Sequence, residues 1–213
     1  MERLDLEKAK RLQLALSSYV TIERLDTSSL RYVVGLDVSY VKDRGVAVAA
    51  LLRYPQLELV EYVAVAGEVG VPYIPGLLAF REAPLLLKAC ESLSVTPDLL
   101  VVDGHGLTHP RRFGIASHVG VVLDRPSIGV AKRVLYGRIV ESGPERLIMV
   151  GDLAGGIVVT RGRRELYFSI GHRVDLDSLR ALSRTLFKNH DLPEPTYQAD
   201  RISREVRALV AKR

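Results

Sequence analysis

The chain has 213 residues, 47% hydrophobic and 26% charged, which excludes a disordered segment and leaves one globular domain over residues 1–213 as the expectation. A lone cysteine, Cys90, excludes an internal disulfide or a cysteine-built zinc cage and reads as a buried small hydrophobe. The net charge of +5, from 30 Lys and Arg against 25 Asp and Glu, suits a polyanionic partner.

The N-terminal stretch MERLDLEKAKRL carries acidic residues where a signal peptide would be apolar, and no apolar run reaches the ~20 residues of a membrane helix. A soluble, cytoplasmic protein with no membrane partner is expected, and a monomer. Residues 4–17 have the spacing of an amphipathic helix, with Leu12, Ala15 and Leu16 on one face. Three β-rich runs follow, Tyr32 to Tyr40, Gly45 to Arg53 and Leu57 to Ala66. The breaks between them, KDR and YPQ, are of hairpin length, so the runs predict three consecutive antiparallel strands.

Between Pro72 and Pro75 stands Tyr73, in PYIPGLLAFREAP. Each proline fixes its own φ and pushes the residue before it towards extended backbone, so this loop is stiff before any tertiary contact forms. A stiff loop can aim an aromatic ring, although packing of the ring on the core is the ordinary alternative. Gly76 to Leu93 then predicts a helix that must take Pro84 into its first turns or kink.

The run DLLVV at 98–102 is wholly apolar after Asp98 and ends in DGHG, the pattern of a central strand covered on both faces. Phe113 to Leu123 predicts a helix and Ser127 to Ala131 another buried strand. Two or three strands are expected within 147–170, with breaks at Gly155, Gly156, Gly162 and Gly171, before helices near 175–188 and 198–211. This order suits an α/β fold, a mixed sheet with helices on both faces and its site at the carboxyl ends of central strands.

Asp37 interrupts the apolar strand VVGLDVSY, and a buried carboxylate is costly unless something pairs with it. Asp103 ends the buried strand LLVVD, beside Gly104 and Gly106. If the first and fourth strands are neighbours, these two carboxylates lie side by side and repel unless a cation sits between them. Hard oxygen donors of that kind suit Mg²⁺ or Mn²⁺. Glu82, near the start of the helix after PYIP, either partners the helix dipole or completes the cluster. Lys132 in SIGVAK would bring a positive charge to the same edge, suited to a phosphate oxygen. His172, flanked by glycine at a strand end, reads as structural or substrate-side rather than a ligand. The stretches HPRR, AKR and RISREVRALVAKR are candidate phosphate contacts, the last equally a solvated helix face.

GLDVSY, PYIPGLLAFRE, DGHG, HPRRFGIASHVGV and SIGVAK follow one another in an order and spacing that resembles the endonuclease V family, the deoxyinosine 3′ endonucleases, from about residue 30 to 200. The resemblance implies an RNase H-like mixed sheet whose first three strands are antiparallel. It implies a Mg²⁺-dependent DNA repair nuclease, with Mn²⁺ as a substitute, that recognises deoxyinosine and hydrolyses the second phosphodiester bond on its 3′ side by in-line attack of water. By motif, Asp37, Glu82 and Asp103 resemble the metal carboxylates and Lys132 the lysine near the scissile phosphate, the four together forming the catalytic set. Tyr73 resembles the wedge tyrosine, and Gly76, Leu78, Gly104, His109 and Ile115 the pocket for the everted base.

Bacterial members carry a histidine after the PEPT-like turn, whereas PEPTYQAD ends in Asp200, as in the eukaryotic relatives. Asp200 thereby becomes a candidate oxygen ligand. An inosine-specific endoribonuclease, with RNA as partner, is one alternative on this scaffold, and a non-catalytic nucleic-acid binding module is another.

Overall fold

The computed structural model describes residues 5–212. Helix α1 (Leu6–Ser17) starts on Asp5, whose carboxylate accepts from the amides of Glu7 and Lys8. Strands β1 (Tyr32–Val41), β2 (Arg44–Arg53) and β3 (Glu58–Glu68) then form the expected antiparallel meander. After α2 (Leu78–Glu91), β4 (Leu99–Asp103) lies parallel beside β1; after α3 (Ile115–Leu123), β5 (Ser127–Ala131) lies parallel beside β4. Strands β6 (Arg138–Ser142), β7 (Glu145–Val150), β8 (Leu153–Arg161) and β9 (Arg164–His172) are antiparallel, and α4 (Leu176–Thr185) and α5 (Glu194–Val210) follow. The sheet order is β3-β2-β1-β4-β5-β9-β8-β7-β6.

Alternating strand side chains feed two cores, one on each face of the sheet. Val33, Leu99, Val101 and Ile128 pack against Leu179 and Leu182 of α4 and Ala199 and Ile202 of α5. Val34, Leu36, Leu100 and Val102 turn the other way, onto Ala83 and Leu86 of α2 and Ala116 and Val119 of α3. Gly35 lets α5 lie directly on β1, because a Cβ there would stand 1.8 Å from the Pro195 carbonyl oxygen. Cys90 is buried in the second core, and burial pushes its thiol up to about 12.

Several details differ from the sequence expectations. The first helix buries Ala9 and Gln13 rather than Leu12 and Ala15, which are exposed, with Leu16 half-buried. Gln13 is the reason: its amide nitrogen donates to the Phe113 carbonyl and its oxygen accepts from Arg111. Leu4, where that helix was expected to begin, lies outside the described residues. Gly155, Gly156 and Gly171 lie inside β8 and β9, not at breaks. They serve close approach, since a Cβ on Gly156 would meet the Phe168 carbonyl oxygen at 2.2 Å and one on Gly171 the Ser127 hydroxyl at 2.4 Å. Strand β6 was not foreseen. Helix α5 begins four residues early, because Pro195 in its first turn costs no hydrogen bond.

Candidate active site

The register places the two aspartates together. Leu36 pairs with Val102 across the parallel β1–β4 ladder, so Asp37 and Asp103, each one residue further on, stand at the same level and on the α5 face. Ser203 of α5 donates its hydroxyl to Asp37 Oδ2 at 2.8 Å. Lys132, the residue after β5, donates to Asp103 Oδ2 at 2.8 Å. Asp200 shares a crevice with Asp103 and Lys132, and is itself held by Arg204 at 2.9 Å.

Glu82 arrives from the opposite face of the sheet. It is the fifth residue of α2 and so lies beyond the first turn, which removes the dipole-partner role. Its Oε1 accepts from the Tyr40 hydroxyl at 2.5 Å. Pro84, also past the first turn, is taken into the helix.

The electrostatics of this rim are strained by like charge. Burial, then the neighbouring Asp103 and Asp200, push the Asp37 carboxyl up to about 6, against the Ser203 hydrogen bond and Lys132. Burial, with Asp37 and Asp103 behind it, pushes Glu82 up to about 8, although the Tyr40 hydroxyl and Arg81 oppose the shift. Burial works against the charge on Lys132, yet Asp103, Asp200 and Asp37 together raise its pKa. Three carboxyl groups thus act on one lysine, and Glu82 adds a fourth facing Asp37 and Asp103. A divalent cation would supply the missing positive charge, and the donor set is all oxygen, which fits Mg²⁺ or Mn²⁺. Among the described residues no three His, Cys, Asp or Glu side chains form a ready-made cage, because Asp103 is turned onto Lys132 and Glu82 onto Tyr40.

Beside this cluster opens a cavity of about 290 Å³. Gly76, Leu78, Gly104, His109 and Ile115 all line it, and Tyr73 stands at its mouth with 65% of its surface exposed. The ring of Tyr73 therefore does not pack on the core. Gly76 adopts φ +79, and its carbonyl accepts from His109 Nε2 at 3.0 Å and Arg111 Nη2 at 2.6 Å. His109 Nδ1 accepts the Arg111 amide at 3.1 Å, so the proton sits on Nε2. Burial pushes the imidazole down to about 4, keeping it neutral.

Other parts of the pattern fall elsewhere. His172 lies at the far end of β9, opposite Ser127 at the start of β5, where its Nδ1 accepts the Thr21 amide at 3.2 Å. Arg111 and Arg112 of HPRR bond within the chain, Arg112 to the Val150 carbonyl, and Arg201 pairs with Glu205. Residues the motifs did not single out include Tyr40, Arg81 and Ser203, and also Val134 and Leu135, which with Arg133 of AKR form the cavity wall after Lys132. Tyr40 and Arg81 were within reach, since GLDVSY and FRE contain them.

Acidic residues gathered on one rim of a mixed sheet, with a lysine bonded among them, are the equipment of a nuclease, and that is the class the fold and site define. A family model described as Endonuclease V matches residues 14–201. The Endonuclease V of Aeropyrum pernix is 46% identical over 207 residues, covering 95% of this chain and 80% of that protein. The crystal structure of Endonuclease V from Streptomyces avermitilis superposes with a TM-score of 0.90 at 36% identity, covering 98% of this chain and 95% of the other. At 24% identity and a TM-score of 0.84, covering 96% and 98%, the Ciona intestinalis Endonuclease V in complex with a 24mer DNA containing an inosine followed by a ribo-adenosine shares the fold. The chain belongs to the Endonuclease V family, whose members are nucleases that hydrolyse phosphodiester bonds. Among the described residues no helix is long and apolar enough to cross a membrane.

Proposed function

We propose that this chain is a DNA repair endonuclease that recognises deoxyinosine and hydrolyses the second phosphodiester bond on its 3′ side, leaving 3′-hydroxyl and 5′-phosphate ends. One observation carries the reading: in a chain of this family, an acidic rim with Lys132 adjoins a cavity whose wall combines glycines with apolar side chains and histidines, with an exposed tyrosine at its mouth. The inosine-containing DNA held by the Ciona protein agrees with that substrate.

The everted base enters the cavity, where the backbone of Gly76 and Gly104 can approach the edge of a purine because neither residue carries a side chain of its own. Tyr73, stiffened by its prolines, fills the gap in the base stack. Asp37, Glu82, Asp103 and Asp200 would hold Mg²⁺, with Mn²⁺ as a substitute, and the chemistry it would supply there is activation of the attacking water and neutralisation of phosphate charge. Lys132 releases Asp103 and donates to a phosphate oxygen, stabilising the charge that grows as water attacks in line with the leaving oxygen. The chain acts as one domain and as a monomer in the cytoplasm. A second reading, an inosine-specific endoribonuclease, rests on Asp200 in PEPTYQAD.

The test is cleavage and binding of an inosine duplex by Asp37→Ala and Asp103→Ala. Cutting should be lost in both while binding survives; normal cutting by both variants would remove the proposed site.

A further inference from the structure

A chain of contacts runs from the tyrosine loop to the acidic rim. Two residues before Tyr73, the Val71 carbonyl accepts a hydrogen bond from Arg81 Nη1. The same guanidinium lies 4.3 Å from the centroid of the Tyr40 ring. Tyr40 in turn donates its hydroxyl to Glu82 Oε1 at 2.5 Å. Arg81 and Glu82 are consecutive on α2 and point about 100° apart around the helix, so nothing local obliges them to act together. Tyr40 bridges them. It lies three residues after Asp37 on β1, on the opposite face of the strand, and so reaches α2 while Asp37 faces α5.

We propose that Arg81 and Tyr40 are positioning residues that tie the wedge loop to the metal-holding carboxylate. Arg81 restrains the loop through Val71 and clamps the Tyr40 ring by cation–π contact. Tyr40 then occupies Glu82 Oε1 and leaves Oε2 as the oxygen presented to a divalent cation. A partner of this kind fixes the orientation of a ligand, and its loss typically weakens metal binding by about 10–100-fold. The two residues thus divide the work, Arg81 acting on the loop and Tyr40 on the carboxylate. The inference rests on the proposed nuclease reading for the roles of Tyr73 and Glu82, but its test does not depend on cleavage.

The chain contains no tryptophan, so Tyr73→Trp introduces a single indole reporter at the loop tip. In that background, Arg81→Lys keeps the positive charge but loses the planar stack and the fork that reaches Val71. Time-resolved fluorescence anisotropy should show a larger fast-motion amplitude for the indole in Arg81→Lys, and an unchanged one in Tyr40→Phe, which keeps the ring under the guanidinium. Calorimetric titration with Mn²⁺ should show the complementary split, with binding about tenfold weaker in Tyr40→Phe and little altered in Arg81→Lys. Equal indole motion in all three proteins would overturn the restraint on the loop, and unaltered Mn²⁺ affinity in Tyr40→Phe would overturn the role on Glu82. If the wild-type chain fails to cut inosine DNA while both splits appear, the nuclease reading falls and the relay stands.

Discussion

Replacing Tyr73 with alanine separates a wedge from a structural ring. The side chain is 65% exposed and belongs to an irregular loop, so its removal takes almost nothing from either core. Stability should therefore stay within about 0.5 kcal/mol of wild type. The loss on a duplex is another matter, because stacking of an aromatic ring on a base contributes about 1–3 kcal/mol. With each 1.4 kcal/mol worth tenfold, cleavage of an inosine duplex should fall roughly tenfold to a hundredfold. A single strand has no stack to hold open, so its cleavage should fall much less. The assay compares kcat/KM on matched duplex and single-stranded oligonucleotides, alongside a denaturant midpoint for each protein. Equal losses on both substrates, or a clear drop in stability, would refute the wedge.

The raised carboxyl groups make cation binding sensitive to pH. With values of about 8 and about 6, Glu82 goes from about half ionised at pH 8 to about one part in a hundred at pH 6, and Asp37 from almost fully to about half ionised. Mn²⁺ affinity measured by calorimetry should therefore fall roughly a hundredfold between pH 8 and pH 6, with most of that dependence removed in Glu82→Gln. The stability of the cation-free chain should move the other way. Both folded-state values lie above the ordinary carboxylate range, so the stabilising contribution is complete below about pH 4 and is lost as pH rises through about 6 and then about 8. Melting temperatures recorded with a chelator should decline across that window and recover when Mn²⁺ is added at pH 8. For the cavity, Gly76→Ala places a methyl 3.0 Å from Arg111 Nη2 at φ +79, and should cost about 1 kcal/mol of stability. Inosine preference over adenosine in a competition assay should drop in the same variant, and undiminished preference would remove Gly76 from base recognition.

The central strands were legible because burial on both faces leaves a mark that short-range patterns carry. SIGVA was delimited to the residue, and LLVVD was recognised by its unbroken apolar run. The pairing of Asp37 with Asp103 also followed, once the first and fourth strands proved to be neighbours. What failed depends on contacts distant in sequence. Gln13 is buried by partners about a hundred residues away, and no local periodicity announces an amide that will bond to Phe113 and Arg111. Strand β6, RIVES, is exposed along its whole length at the sheet edge, so it lacks the alternation that a half-buried strand would show. The glycines of β8 and β9 looked like punctuation because the sequence does not say which backbone passes close to them. Around the site, the motifs yielded the residues proposed to meet substrate or metal. The Tyr40 hydroxyl and the Ser203 hydroxyl, which hold those residues, became visible only when α2 and α5 were seen packed on opposite faces of β1.

The most direct measurement is cleavage of four matched oligonucleotides, with one inosine or one adenosine at the same position in DNA or RNA, with and without Mg²⁺. The account predicts a single cut at the second phosphodiester 3′ to inosine in DNA, only when Mg²⁺ is present, and none in the strand that carries adenosine instead. Cutting of the adenosine strand at the same rate, or undiminished cutting in a chelator, would contradict it.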